Sequence, residues 1–424
     1  MNPSDTATAR KPETATARKT EAAGGPRGET EELISGSEAI AHACRLADVD
    51  VITAYPIRPY DTVMQYVSQM IADGEFDCEY IIAESEHSQF EIVKHASAVG
   101  SRVFTGSSGV GWLYAFEPLA VTAGLRLPVV AMVGNRALDD PGAFGTEHND
   151  ALAVRDLGWM LAWVSTAQEA LDTTLIAWRV AEDPRVFLPC AISCDGAFLT
   201  HSQTIVKVPG KAAVDSFLPP YDRGDKLLHP DNPITIAPQV NEDWLMEIRR
   251  QSDAAARRAR GVIIEAYEEF DATFGRGGEP FIERYMMDDA EIALVGMGTL
   301  AMPVKVAVRK MREQGKKVGF VRVRWFRPFP TEELQDALSG VAAVAVIDRD
   351  YGFGSAFHSG TLANDLRAAL YPAEKRPTVL SFIAGLGGRE VSTDNVIDIA
   401  GRAFDAANGA DVDDQETYWI GVRE

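Results

Sequence analysis

A few short clusters hold the side chains best suited to chemistry. Glu84-Ser85-Glu86-His87 packs two carboxylates and an imidazole together. A metal site there would need further ligands at helical spacing, which the neighbouring residues do not supply. An acid/base role and a helix start, where negative charge is favoured in any case, both remain open. In Tyr55-Pro56-Ile57-Arg58-Pro59 the prolines fix the backbone, and a stiff loop can present its groups to a flat ring or an anion. Arg58 is equally suited to a local ion pair with Asp61. Residues 105–111 are rich in glycine and serine, so a ring or phosphate could approach the backbone near Ser108 and Gly109, with Trp112 alongside. A plain flexible connection fits that stretch nearly as well. Arg136, in Asn135-Arg136-Ala137, could fork onto a carboxylate. Residues 139–150 carry four acids, His148, Pro141, Gly142, Gly145 and Phe144, a composition suited to a loop over a site.

The elements that must position these clusters alternate. Residues 37–47 have helical spacing and open on Ser37, a residue type favoured at N-caps. Strands are expected at 49–55, 80–83, 103–106 and 128–133, with helices at 61–71, 86–99 and 113–124. Apolar strands alternating with helices imply a parallel sheet covered on both faces. Ligands of such sheets collect beyond the carboxyl ends of the strands. The loops there are 56–60, 84–87, 106–111 and 134–145, which hold the clusters above.

Residues 204–240 are rich in Pro, Asp and Lys and read as a linker, followed by a helix over about 242–274. A second α/β unit begins near residue 290, with strands at 291–295, 318–324 and 341–347 and helices at 303–314 and 331–338. Its Gly296-Met297-Gly298 turn lacks the third glycine and the distant acid of a dinucleotide fingerprint, so a tight strand-to-helix turn explains it better. Residues 1–32 repeat Thr-Ala-Thr-Ala-Arg-Lys at 6–11 and 14–19 and have no hydrophobic period, which predicts disorder. Glu13, Glu21 and Glu29 weigh against a targeting peptide.

With 424 residues, several domains are expected. Lys and Arg number 41 against 62 Asp and Glu, a net charge of −21 that disfavours a nucleic-acid surface. No apolar run approaches the ~20 residues of a membrane helix, and no secretion leader is evident. A cytoplasmic protein is the expectation. Cys44, Cys78, Cys190 and Cys194 match no zinc or cluster spacing and are expected to be small core residues.

Together, Tyr55-Pro56-Ile57-Arg58-Pro59, Ser85-Glu86, Arg136-Ala137, Phe144-Gly145 with His148 and Asp150, and Arg327-Pro328-Phe329-Pro330 are more specific than any one of them. From about Ser37 onward the chain resembles the alpha subunit of the 2-oxoacid:ferredoxin (pyruvate:ferredoxin) oxidoreductases. The resemblance implies an α/β fold with a thiamine-diphosphate-enzyme pyrimidine-binding domain and a transketolase C-terminal-like domain. The expected division is a tail at 1–35, the pyrimidine-binding domain at 36–205, a linker and long helix at 206–285, and the second domain at 286–424. It further implies that Glu86 is catalytic, hydrogen-bonded to N1′ of the aminopyrimidine and favouring the tautomer that lets the cofactor lose its own proton. Tyr55, Pro56, Ile57, Ser108 and Gly109 would join it in holding the cofactor, and Arg136 would hold the substrate carboxylate.

Gly-Asp-Gly, which holds Mg2+ and diphosphate in such enzymes, is absent; Cys194-Asp195-Gly196 comes nearest. The resemblance therefore implies a diphosphate-binding beta subunit carrying Mg2+, gamma/delta-type subunits with [4Fe-4S] clusters, and a hetero-oligomer holding at least two copies of this chain. Arg58 replaces the threonine of the pyruvate-type motif. With Arg136, Trp112, Phe144 and the small Ala143, it suggests phenylglyoxylate as substrate, ahead of oxalate and pyruvate. Benzoyl-coenzyme A would be the product, with electrons leaving through clusters and an FAD subunit to NAD+. A non-catalytic scaffold is the competing reading from another class.

Overall fold

The computed structural model describes residues 28–139 and 141–423. The repeat and most of the expected disordered tail lie outside the described residues. Among the described residues, no helix is long and apolar enough to cross a membrane.

In chain order the first half comprises β1 (Thr30–Ser35), α1 (Gly36–Leu46), β2 (Val51–Ala54), α2 (Asp61–Ala72), β3 (Glu79–Ile82), α3 (Glu86–Ala98), β4 (Val103–Ser107), α4 (Gly109–Tyr114), α5 (Phe116–Gly124), β5 (Val130–Asn135), α6 (Asn149–Leu152), β6 (Met160–Val164), α7 (Ala167–Ala181), β7 (Cys190–Asp195), β8 (Gln203–Val208) and α8 (Lys211–Phe217). The second half follows with α9 (Glu242–Phe274), β9 (Ile282–Tyr285), β10 (Ile292–Met297), α10 (Ala301–Glu313), β11 (Val318–Val323), β12 (Trp325–Arg327), α11 (Thr331–Leu338), β13 (Ala343–Asp348), α12 (Thr361–Leu370), β14 (Thr378–Ile383), α13 (Thr393–Ala407) and β15 (Thr417–Trp419).

Among the described residues these strands form a seven-stranded sheet, β12-β6-β7-β5-β4-β2-β3, and a six-stranded sheet, β15-β14-β13-β10-β11-β9. Both are parallel except at one edge, where β12 runs antiparallel to β6 and β9 antiparallel to β11. β12 belongs to the second half of the chain yet completes the first sheet. One apolar core spans the first sheet and one face of the second, and a smaller core covers the second sheet's other face.

Three expectations are corrected. The tail does not extend to residue 35: Thr30–Ser35 pairs antiparallel with Gln203–Val208. Only Ile34 and Ser35 of β1 are buried, so its polar composition hides the ribbon from a sequence reading. The expected linker starts later than 204, because β8 and α8 occupy its first part, and Phe217 packs edge-on to Phe270 of α9 at 5.2 Å. Its apolar residues are satisfied by a distant helix, so no local period marks them. The cap of α1 is Ser35, whose Oγ accepts from the Glu38 backbone N–H at 3.2 Å, while Ser37 lies buried in the first turn.

Strands β6 and β7 are buried along their whole length, so they carry no alternation for a sequence to show. The long helix α9 runs as expected. Asn241 caps its start, the side chain accepting from the Asp243 backbone N–H, and Gly275 ends it in a left-handed turn.

Candidate active site

β2 lies between β3 and β4, and the chain leaves it first to one side and then to the other. Such a switch point opens a crevice beyond the carboxyl ends of the strands. The loops bordering it are 55–60 after β2 and Ser108-Gly109 after β4, and Glu86 follows β3.

Ser85 caps α3, its Oγ accepting from the Ser88 backbone N–H at 3.2 Å, and this orients the first turn. Of the two carboxylates in the cluster, Glu84 is exposed and accepts from Ser88 Oγ, whereas Glu86 is only 7% exposed. His87 turns aside to Glu117, 3.3 Å away. The Glu86 carboxylate makes no hydrogen bond or ion pair with another described residue. Gly111 makes room for it: a Cβ there would overlap both Glu86 Oε1 and Ile57 Cδ1. The Glu86 oxygens are not among the buried polar atoms left without a partner, so the carboxylate opens onto the crevice, free to accept from a ligand donor.

Asp150 organises the facing side. Its Oδ2 accepts from the backbone N–H groups of Gly109 and Arg136, each at 3.0 Å. Its Oδ1 accepts from Asn135 Nδ2 at 2.9 Å and from its neighbour Ala151 N–H at 2.8 Å. Burial pushes this carboxyl up to about 6 against the pull of those donors. Gly109 sits at φ +53°, a left-handed turn that brings its N–H round to Asp150. Ser108 is buried, and its Oγ accepts from the Tyr60 backbone N–H at 3.3 Å. Tyr55 and Ile57 are half-buried, Pro56 is exposed, and residues 58–60 form a turn.

Arg136 reaches Asp139 at 2.9 Å and lies 4.7 Å from the ring centre of Phe144, which is 72% exposed. Its Nη1 also reaches the Arg58 carbonyl at 3.4 Å. The structure thus brings Arg136, Phe144, Gly109 and the 55–60 loop together. It does not bring in the other two predicted substrate contacts. The Arg58 side chain points to solvent and pairs with Asp61 at 3.4 Å. Trp112 is fully buried, edge-on to Phe90 and Trp159 at 5.3 and 5.7 Å, so it builds the core and does not line a pocket.

Asp195, at the end of β7, is visible in the sequence only as part of an incomplete diphosphate motif. It is fully buried and joins the two halves. Its carboxylate meets His148 Nε2 at 2.7 Å and Arg349 Nη1 at 2.8 Å, and accepts from the Thr299 backbone N–H at 2.7 Å. Burial pushes this carboxyl up, but Arg349 and His148 outweigh burial and hold it well below the usual carboxylate range. Further links tie the 136–150 loop to the second half. The His148 N–H donates to the Arg349 carbonyl, and Asn149 exchanges hydrogen bonds with the Tyr351 backbone. An acid ending a largely apolar, wholly buried strand is the signal that marks it.

The family model for pyruvate flavodoxin/ferredoxin oxidoreductase, thiamine-diphosphate binding, matches residues 42–268, and that for pyruvate:ferredoxin oxidoreductase core domain II matches 290–396. The chain belongs to the pyruvate:ferredoxin oxidoreductase family. Pyruvate synthase subunit PorA of Methanocaldococcus jannaschii is 38% identical over 394 residues, 93% of this chain and 98% of the relative. Ketoisovalerate oxidoreductase subunit VorA of Pyrococcus abyssi is 38% identical over 370 residues, 87% and 92% of the two chains.

Within the pyruvate:ferredoxin oxidoreductase family this chain is an alpha-type subunit of a thiamine-diphosphate-dependent 2-oxoacid oxidoreductase that acts with partner chains. Its fold is also that of solved structures at low identity. A 2-oxoglutarate:ferredoxin oxidoreductase from Magnetococcus marinus superposes with TM-score 0.68 at 15% identity, covering 89% of this chain and 66% of that one. A split-gene transketolase, an inactive beta4 tetramer, gives 0.53 at 12%, covering 89% and 100%. The pyrimidine-binding and transketolase C-terminal-like architecture is therefore established. The particular kinship to phenylglyoxylate or oxalate enzymes gains no support from these relatives.

Proposed function

We propose that this chain supplies the aminopyrimidine side of a thiamine diphosphate site for the oxidative decarboxylation of a small 2-oxoacid, with pyruvate the leading substrate. The observation that carries this is Glu86, a buried residue whose carboxylate has no internal partner, facing the cradle formed by Gly111 and Ile57. Those residues fit the cofactor's ring: the carboxylate has no donor of its own, and Gly111 lets it sit directly against Ile57 of the 55–60 loop.

Bound thiamine diphosphate supplies a carbon nucleophile and an electron sink for decarboxylation. The chain's own contributions are local. Glu86 would hold a proton at the pyrimidine N1′, and Ile57, packed beside it across Gly111, would lie against the ring. Gly109 and Ser108 shape the wall beside it. Arg136, fixed through its backbone by Asp150, offers its guanidinium to the substrate carboxylate. Ile82, Val110, Tyr114 and Phe116 are large, apolar and exposed near this crevice, as expected where a diphosphate-binding beta subunit packs. That subunit would carry Mg2+. Coenzyme A would take the acyl group, and [4Fe-4S] clusters on further subunits the electrons.

Phenylglyoxylate is a second reading, favoured by the exposed Phe144 ring beside Arg136. An FAD subunit delivering electrons to NAD+ would accompany it. It has lost Trp112, which lies in the core, and Arg58, which faces solvent. Turnover of the reconstituted complex on pyruvate, 2-oxoisovalerate, oxalate and phenylglyoxylate decides between the readings. A kcat/KM for phenylglyoxylate above that for pyruvate would reverse their order. Undiminished turnover in Glu86→Gln would remove the catalytic assignment altogether.

A further inference from the structure

The second sheet has a switch point of its own. β10 lies between β11 and β13, and the chain leaves it first to one side and later continues on the other. The same rule that locates the first crevice predicts one here, beyond the ends of β10 and β13. A cavity of about 380 Å³ occupies that position. Thr299 lines it from the turn after β10, Met302 from the first turn of α10, and Arg349 from the loop after β13; Ala167, Phe198 and Leu199 of the first half form the facing wall.

Its chemistry is uneven. The walls are largely apolar, and Phe198 and Met302 are left 43% and 55% exposed. One cation borders it. Arg349 is only 4% exposed, and its hydrogen bonds run through Nη1 alone, to Asp195 at 2.8 Å and Thr299 Oγ1 at 3.0 Å. Its Nε is buried without a partner against Gly385, out of a ligand's reach, whereas Nη2 is not sealed off and makes no hydrogen bond to another described residue. The guanidinium lies 5.1 Å from the centre of the Phe198 ring. Glu390, the acid among the lining residues, is exposed. A buried guanidinium with a free N–H beside an open apolar cavity is unsatisfied in a way that a carboxylate would correct.

We infer that this interdomain cavity binds a small monoanion with an apolar body, its carboxylate on Arg349 and its tail against Phe198, Leu199 and Met302. The site is separate from the crevice holding Glu86. Occupancy would draw on Arg349, which shares Asp195 with His148, so the ligand contacts the framework that holds the 136–150 loop.

The test is calorimetric titration of the assembled complex with octanoate. Saturable binding at one site per copy of this chain is expected, with 1-octanol at least about tenfold weaker because it lacks the charge-assisted hydrogen bond. Met302→Trp fills the cavity without removing a charge, and should weaken octanoate at least about tenfold while leaving the melting temperature unchanged. Glu86→Gln should bind octanoate as the wild type does. The inference fails if octanoate does not saturate, if octanol matches it, or if Met302→Trp binds normally. Loss of binding in Glu86→Gln would place octanoate in the catalytic crevice instead, and would also overturn it.

Discussion

Glu86 and Asp195 are both buried residues at the carboxyl ends of strands of one sheet, with three strands between them, and their surroundings are opposite. Asp195 is enclosed by His148, Arg349 and Thr299, and its charge is held by the protein itself. Glu86 has a capped helix behind it, a glycine in front, and no internal donor. Burial alone therefore does not separate a working acid from a structural one. The count of internal donors does: a saturated carboxylate locks elements together, while an unsatisfied one awaits a ligand.

Exchanging each acid for its amide should break this contrast in opposite ways. Glu86→Gln is expected to lower turnover of the reconstituted complex by about 10²–10⁴-fold, with no loss in melting temperature because no internal bond is broken. Asp195→Asn should instead destabilise the chain by about 3–5 kcal/mol, since Arg349 is left buried without its counter-charge. Denaturant unfolding of the two variants measures this, and equal stability would erase the distinction. Arg136→Lys sits between them. Losing a forked contact to the substrate carboxylate should raise KM by about 10–100-fold with a smaller change in kcat.

Asp150 gives the contrast a pH dependence. Its carboxyl must be ionised to accept from Gly109 and Arg136, and burial brings it to about 6. Activity should fall as pH drops through that value, and Asp150→Asn should remove this limb from the pH profile of kcat/KM. For stability the sign is reversed. A carboxyl raised above its unfolded value of about 3.9 contributes most below that pH, and the contribution is lost as pH rises through about 6. Arg58→Thr should have the smallest effect, within about 0.5 kcal/mol of stability and with little change in substrate preference, because its ion pair is exposed. A large shift in preference would return Arg58 to the substrate pocket.

Much of this arrangement is legible in the sequence. The apolar strands punctuated by glycine and proline locate the sheet, and the motifs around Glu86 and Arg136 fall at strand ends, where a ligand crevice needs them. Side-chain direction is less accessible. Trp112 and Gly111 are adjacent, yet one builds the core and the other shapes the crevice, because a helical turn sends neighbours to different faces. Asp195 is hidden for another reason. Its partners Thr299 and Arg349 lie more than a hundred residues away, and no local pattern announces a contact made across two sheets.

The placement of β12 has a practical consequence for dividing this chain. Trp325 and Arg327 cover the outer edge of β6 opposite Ala162 and Leu161, and the Trp163 N–H donates to the Arg324 carbonyl. A fragment ending at residue 285 would strip that cover and present a row of free backbone groups beside Trp163. Such an edge is a template for sticking to other strands. A gene split at the apparent boundary between the halves should therefore yield an insoluble first piece. Carrying the cut past residue 327 would keep the protective strand, but would tear β10 from β13 and split the second sheet between the two pieces.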